Sequence, residues 1–362
     1  MKYTNFLNEL KSTEQLVTAF FHDQLAATRK IQPSILETCT MSYIRGGGKK
    51  LRPGVLMLAC KAVGGNPEQA LPAAAAVELF HTWTLVHDDI IDNDHVRRGV
   101  PTVHKTAEHY ALETLGLKGA VAAKYGTDTA ILTGDIQHGW SISMLSDNLV
   151  RGGIKPEVAL RLITILQIDV LRTLVEGELL DVDFGLFHSI YDLSEEQILD
   201  MLWRKTGILY EFCAVAGAMI GKNSADYDEE VNALKQFCSL CGTAFQVKDD
   251  ILGLVGKSAE LGKPVGSDIR EGKKTLLVLE ALRNADDKQK AIIFEALGNS
   301  QATEEQISKC TKTIIDLGGV EKAHKTALHF VEKALPNLAK ISPSPSRDLL
   351  NDWAGYMIDR NV

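Results

Sequence analysis

The sequence predicts an all-α protein folded as a single large helical domain, and three observations carry that reading. Apolar residues recur at helical spacing along nearly the whole of the 362 residues. Runs of β-branched residues are short and fall on the same spacing, so no segment reads as a strand. Glycine and proline concentrate in a few connections, and no low-complexity linker divides the chain at any of them. Length alone allows one domain or two, and the lack of a place to cut decides for one.

Residues 1–44 read as amphipathic helix, interrupted near Pro33. RGGGKKLRP, Arg45 to Pro53, breaks the pattern, and an apolar helix from Gly54 to Val63 follows. Gly64-Gly65-Asn66-Pro67 is a turn. Beyond it an alanine-rich run from Leu71 sets Val77, Phe80, Thr84 and Leu85 at helical spacing and leads into Asp88, Asp89 and Asp92. The chain is helical again after His104 to about Gly116, whereas GLKGAVAAKYG, interrupted by glycine, reads as helix or loop. Helices are predicted over 127–146, 157–182, 195–221 and 228–254. The second of these carries Asp169, Glu176, Glu178 and Asp181, read as a solvated face with contact to metal-bound water as the alternative. Gly217 and Gly221 suggest close helix contacts. The loop Gly256 to Thr275, rich in glycine and lysine, is long enough to be functional. Amphipathic helices fill 276–360, with a Pro-Ser-Pro-Ser turn at 343–346.

Hydrophobic content of 45% and charged content of 24% are those of an ordinary globular protein. The net charge of −8 excludes a general nucleic-acid binder, so an anionic substrate needs a local basic patch. The longest apolar runs are too short for a membrane span, and MKYTNFLNELKSTEQL has no signal-peptide core, so a cytoplasmic protein is expected. Cys238 and Cys241 form a CxxC without a second pair at zinc-site spacing. All six cysteines read as small core residues, with no disulfide framework.

The aspartates carry the chemistry. Asp88 and Asp92 stand four apart, so a helix sets both carboxylates on one face with Asp89 beside them. Like charges at that spacing repel. A divalent cation with room for waters and phosphate oxygens makes the arrangement favourable, and Mg²⁺ is bound in that way. For a lone motif, an acidic helix end in water explains as much. This one is not alone: TAFQVKDDILG, 243–253, repeats TWTLVHDDIID, 82–92, nearly position for position. Asp249 and Asp250 thus echo Asp88 and Asp89 on a second helix, and two such helices facing one another are expected to hold divalent ions. In the glycine-rich loop, Arg45, Lys49, Lys50 and Arg52 supply positive charge around a backbone able to wrap an oxyanion. It is not a Walker A loop, because GK[ST] and a preceding strand are missing, and a basic surface turn is the alternative.

Taken in order, GGKKLRP, His81, DDIID, RRG, Lys205-Thr206, FQVKDD and GKPVGSD followed by Lys273 resemble the trans-type isoprenyl diphosphate synthases of the polyprenyl synthetase family. The resemblance runs from Gly47 to about Gly272. It implies the isoprenoid synthase fold, about ten core helices around a central active-site cavity, assembled as a homodimer. It further implies an allylic diphosphate (dimethylallyl, geranyl or farnesyl) held by about three Mg²⁺ ions on Asp88, Asp92 and Asp249, with Asp89 and Asp250 close by. Loss of diphosphate leaves an allylic cation, the double bond of isopentenyl diphosphate attacks it, and a proton is lost. On the same resemblance Arg97, Lys205 and Lys263 neutralise the departing diphosphate, and Thr206 and Gln246 offer neutral oxygens near the cation. Lys49, Arg52, His81 and Arg98 bind the second diphosphate without metal, and Lys273 is a further substrate-binding residue.

Two features depart from the family pattern. Gly253 stands where the fuller second motif has a third aspartate, and YMIDRNV ends the chain with Arg360 as its only base. Chain length follows from the helix before Asp88, along which the product tail should run. Phe80 lies two turns from Asp88, roughly 12 Å along the axis. Trp83, five before Asp88, is where the family often carries an aromatic stop, while Thr84 is small. That pattern resembles synthases of geranylgeranyl diphosphate, the C20 product, with the C15 farnesyl product as the alternative and core packing as the plain explanation of both rings. A class I terpene cyclase would share the aspartates without needing GGKKLRP, His81 or Arg98. A non-catalytic synthase subunit typically loses metal carboxylates, and both pairs are kept here.

Overall fold

The computed structural model describes residues 2–27, 30–45, 48–256 and 266–360, and helix dominates them. The chain forms two compact units, Met1–Thr164 with Cys213–Tyr227, and Ile165–Phe212 with Asp228–Val362.

The first unit holds α1 (Thr4–Ala27), α2 (Ser34–Arg45), α3 (Leu51–Ala62), α4 (Pro67–Ile91), α5 (Val103–Glu113), α6 (Gly119–Ser143), α7 (Leu149–Arg151) and α8 (Pro156–Thr164). The helix α4 starts where the turn predicts: Asn66 accepts from the Glu68 amide at 3.0 Å and Pro67 takes the first helical position. Its alanines, Ala73 to Ala76, are fully buried, and their small side chains admit α3 and α6 closely on either side. Val86, Val103, Ala107 and Ala130 share one apolar cluster with Ile35, Cys39 and Tyr43 of α2.

Three features differ from the sequence reading. A short antiparallel ribbon, β1 (Val96–Arg97) and β2 (Val100–Pro101), follows α4 where no strand is predicted. Its two-residue turn has positive φ at both Arg98 (53°) and Gly99 (79°), the hairpin turn that suits strand twist, but each strand is too short to show an alternating pattern. The glycine-interrupted stretch is helical from Gly119 onward. The helices predicted over 157–182 and 195–221 are each broken by a π-turn, Ile165–Val170 and Trp203–Gly207. Periodicity does not resolve such a bulge, because the phase shift from one extra residue is confined to a single turn between regular stretches.

The second unit contains α9 (Leu171–Phe187), α10 (Glu195–Leu202) and α12 (Glu229–Val255), and α11 (Ile208–Lys222) runs from it into the first. Asp228 caps α12 by accepting from the Val231 amide at 3.0 Å. The apolar face of α12 packs on the helices Gly319–Leu338 and Pro345–Asp359. Trp353 of the latter is fully buried, 5.4 Å from the Tyr210 ring and 5.8 Å from Phe237. In the first unit a Cβ at Gly217 would collide with the Leu56 carbonyl, and one at Gly221 would come within 2.7 Å of the Cys60 carbonyl, so both glycines set a close helix crossing. All six cysteines are buried and free.

Candidate active site

The first aspartate group closes α4. Asp88 lies in its last turn, Asp92 is its C-cap, and Asp89 turns inward and is fully buried. Arg97 of β1 reaches back to the helix. Its Nε donates to Asp89 Oδ1 at 2.5 Å and its Nη2 to Asp88 Oδ2 at 3.1 Å, with Asp94 Oδ2 at 3.6 Å. Tyr43 of α2 donates its hydroxyl to the other Asp89 oxygen. Burial pushes the Asp89 carboxyl up to about 6 although Arg97 and Tyr43 favour its charge. For Arg97, burial disfavours the charge but Asp88 and Asp89 outweigh it, and the pKa rises. The guanidinium is therefore the firmer charge of the pair.

A second cluster gathers cations in the same unit. Arg52 Nη1 donates to His81 Nε2 at 3.1 Å; arginine only donates, so this imidazole accepts at Nε2. Burial, then Arg52, Arg98, Arg97 and Lys50, push the His81 pKa well down, and the ring is neutral. Arg98, in the turn of the ribbon, sets its guanidinium where a Cβ at Gly48 would stand. Lys50 pairs with Glu78 at 2.8 Å, both side chains almost wholly buried, while Lys49 is exposed. Of the loop's basic residues, Lys50 is thus tied into the core.

In the second unit, the π-turn Trp203–Gly207 presents Lys205 and Thr206. Lys205 Nζ donates to Asp181 Oδ2 at 2.7 Å and to Glu178 Oε1 at 3.1 Å. Those two carboxylates are only 12% and 19% exposed, so the solvated face expected for this helix does not extend to them; Asp169 is exposed as expected. Thr206 Oγ1 donates to Gln246 Oε1 at 2.7 Å, and Gln246 Nε2 donates to Asp250 Oδ1 at 3.1 Å. Burial, and next Asp268, push the Asp250 carboxyl well up; Asp181 and Asp249 add to this, against the hydrogen bond from Gln246. Asp250, Asp268 and Lys273 also line a cavity of about 20 Å³, room for one water molecule. Lys273 Nζ lies 3.1 Å from Glu271 Oε2. A Cβ at Gly253 would collide with Asp268 Oδ2, so the Asp268 carboxylate takes up the space of the missing third aspartate side chain. Lys263 lies outside the described residues.

The C-terminal base has a definite place. Arg360 pairs with Asp249 Oδ1, donates to the Phe245 carbonyl at 3.2 Å and lies 4.0 Å over the Phe245 ring.

Among the described residues, no three His, Cys, Asp or Glu side chains converge tightly enough to hold an ion by themselves. Mg²⁺ is usually held by one or two carboxylates together with substrate phosphates. The donors fit that ion: they are all carboxylate oxygens, and Asp268, Asp181 and Asp249 all push the Asp250 carboxyl up, as carboxylates gathered without a cation do.

Along α4, Phe80 is fully buried and Trp83 is 9% exposed, their rings 4.9 Å apart. His138 of α6 lies 5.0 Å from Trp83 and 5.8 Å from Phe80. Thr84 is half-buried, and its hydroxyl donates to the His81 carbonyl at 2.8 Å.

The model of one protein family, polyprenyl synthetase, matches residues 33–314, well over half of the chain. The chain belongs to that family. It is a trans-isoprenyl diphosphate synthase, and so a prenyltransferase with an all-α fold. It is 34% identical over 342 residues to a geranylgeranyl diphosphate synthase of Sulfolobus acidocaldarius, covering 94% of this chain and 92% of that protein. To a geranylfarnesyl diphosphate synthase of Aeropyrum pernix it is 34% identical, covering 91% and 96%. A geranylgeranyl pyrophosphate synthase of Corynebacterium glutamicum, solved with isoprenyl diphosphate and magnesium, superposes with a TM-score of 0.86 at 27% identity over 98% of this chain and 99% of that one. Among the described residues of this synthase, no helix is long and apolar enough to cross a membrane.

Sequence reasoning missed Tyr43, Glu78 and the position of Asp268. Tyr43 shows no sign of its role in an apolar helix face. Glu78 had one: a carboxylate inside an alanine-rich buried helix requires a cation, and the lysine-rich loop supplies it. The pairing of Asp268 with Gly253 joins residues fifteen apart, which spacing does not reveal.

Proposed function

We propose that this synthase condenses isopentenyl diphosphate with dimethylallyl, geranyl or farnesyl diphosphate, and that its main product is geranylgeranyl diphosphate. The observation that carries the reading is the gathering of Arg52, Arg97, Arg98 and Lys50 around a neutral His81, beside an aspartate motif, in a protein of net charge −8. Two diphosphates need that much local positive charge. The C20 product is supported by the resemblance to the Sulfolobus acidocaldarius enzyme and by the two buried rings on α4.

In this reading Asp88, Asp92 and Asp249 are the residues that would hold Mg²⁺. The ions supply Lewis-acid stabilisation of charge developing on the leaving diphosphate. The chain's own groups do the rest. Arg97, Lys205 and Lys263 neutralise the departing diphosphate; Lys205 exchanges its carboxylate partners for phosphate oxygens, and Arg97 exchanges its Nη2 contact with Asp88 while Nε stays on Asp89. Thr206 and Gln246, already oriented by their mutual hydrogen bond, keep neutral oxygens near the allylic cation. Asp89 and Asp250 orient their neighbours. Lys49, Arg52, His81 and Arg98 bind the second diphosphate, His81 contributing as a neutral ring that directs Arg52, and Lys273 is a further substrate-binding base. The double bond attacks the cation, and the released diphosphate takes the proton.

One synthase domain over residues 1–362 belongs to the same proposal, since the family match runs through both units. A homodimer does too: Val121 and Leu132, 62% and 54% exposed and eleven apart on α6, place an apolar stripe on its surface. Six buried free thiols suit a reducing, cytoplasmic setting. Steady-state kinetics tests the assignment of the two diphosphates. Arg52→Ala is expected to raise KM for isopentenyl diphosphate roughly ten- to hundred-fold, the loss of one charge-assisted hydrogen bond. A rise confined to KM for the allylic substrate would reverse the two sites.

A further inference from the structure

We infer that Tyr43 is a positioning residue for the diphosphate arginines. It acts through one hydroxyl that ties together both ends of the segment carrying Arg97 and Arg98. The inference rests on the reading that Arg97 meets the departing diphosphate.

The observations are two contacts on one oxygen and what they enclose. Tyr43, on α2, is 5% exposed and belongs to the apolar cluster with Val86 and Val103. Its hydroxyl donates to Asp89 Oδ2 on α4 and accepts from the Val103 amide at 3.3 Å. Val103 is the first residue of α5, and the preceding Thr102 makes no side-chain cap, so this hydroxyl takes up an amide that the helix leaves without an internal partner. Between Asp89 and Val103 the chain runs through the ribbon with its two-residue turn. The segment is thus anchored at its start through Asp89 and at its end through Val103, both on Tyr43.

The second Asp89 oxygen is fixed by the same arrangement. With Oδ2 taken by Tyr43, Oδ1 faces Arg97 Nε at 2.5 Å, and this sets the plane of the guanidinium so that Nη2 meets Asp88. A carboxylate held by two donors has no freedom to rotate, and a guanidinium bonded through Nε cannot swing without breaking that bond. Asp89 is in this account a buried hub that aims Arg97, and Tyr43 is what aims Asp89. Catalysis by a preplaced cation depends on its position to well under an ångström, so a hydroxyl that never touches substrate governs the rate.

Tyr43→Phe removes the hydroxyl and keeps the ring. It is expected to lower kcat ten- to thirty-fold, with KM for isopentenyl diphosphate changed no more than about three-fold, as for a lost hydrogen bond to a charged group. Arg97→Ala is measured beside it, alone and combined with Tyr43→Phe. If Tyr43 acts through Arg97, the double variant is no slower than Arg97→Ala. Multiplying effects would mean a general packing role and overturn the inference, as would a Tyr43→Phe enzyme within two-fold of wild type beside a slow Arg97→Ala. An Arg97→Ala enzyme of full activity would instead overturn the reading of Arg97 itself. Val103→Pro tests the same oxygen from its other side and serves if Tyr43→Phe does not fold, because proline is at home at the first helical position. It is expected to lower kcat two- to five-fold, and no change at all would count against the inference.

Discussion

At the scale of single residues, Asp89, Arg97, His81 and Asp250 of the candidate site are charges or rings whose states their burial and neighbours set. Asp88→Ala and Asp249→Ala are each expected to lower turnover by about 10²–10³-fold, some 3–4 kcal/mol of barrier, with the helical fold intact by circular dichroism. Turnover within a few-fold of wild type in either variant would remove these carboxylates from the chemistry. Asp89 predicts a pH effect. Its pKa is raised from 3.8 to about 6, so the stability due to its neutral form is complete below 3.8 and lost as pH rises through about 6. Only the carboxylate holds Arg97, so kcat/KM is expected to fall as pH drops through about 6. Asp89→Asn should be slower throughout and lack that limb. A wild-type profile flat between about pH 8 and pH 5 would show that Asp89 does not gate the arginine. The aspartates and most basic residues were legible in the sequence because spacing and repetition display them. Their partners Tyr43 and Glu78 were not, because each lies on another helix and bears no motif; Asp268 ends the motif GKPVGSD, but its approach to Gly253 does not show in the spacing.

At the scale of elements, periodicity located the helices and missed what interrupts them. The π-turn at Trp203–Gly207 and the ribbon after α4 are the two interruptions that carry site residues, and both are too short to alter an apolar stripe. The glycine pair of α11 was legible, since only a close crossing explains Gly217 and Gly221 in an apolar helix. The rings on α4 raise the question of product length. Each isoprene unit adds roughly 4–5 Å of extended chain, about three helix residues at 1.5 Å each, so on the proposed reading positions 80–83 would lie beside a tail that starts at Asp88. Phe80, Trp83 and His138 pack ring against ring, and a packed interior has no spare void for a further unit. Thr84→Phe is expected to shorten the product to farnesyl diphosphate, and Trp83→Ala with Phe80→Ala to lengthen it, as read by chromatography of the prenyl alcohols. An unchanged distribution in both variants would place the stop on another helix.

At the scale of the whole molecule, an all-α protein without convincing strands was legible from composition and periodicity, and the ribbon is too small to alter that class. The ordered motifs, the aspartate repeat among them, also pointed to the polyprenyl synthetase family to which the chain belongs. What periodicity could not supply is the pairing of charges. Lys50 with Glu78, Lys205 with Asp181 and Arg360 with Asp249 are contacts between residues 24 to 111 positions apart. The central claim is that this synthase joins isopentenyl diphosphate to an allylic starter and stops at twenty carbons. Purified protein incubated with Mg²⁺, labelled isopentenyl diphosphate and each allylic diphosphate in turn tests it, with the extracted products resolved by chain length. The account predicts geranylgeranyl diphosphate as the main product from every starter accepted, and no product when the metal is chelated. A cyclised hydrocarbon formed without isopentenyl diphosphate, or no condensation with any starter, would contradict it.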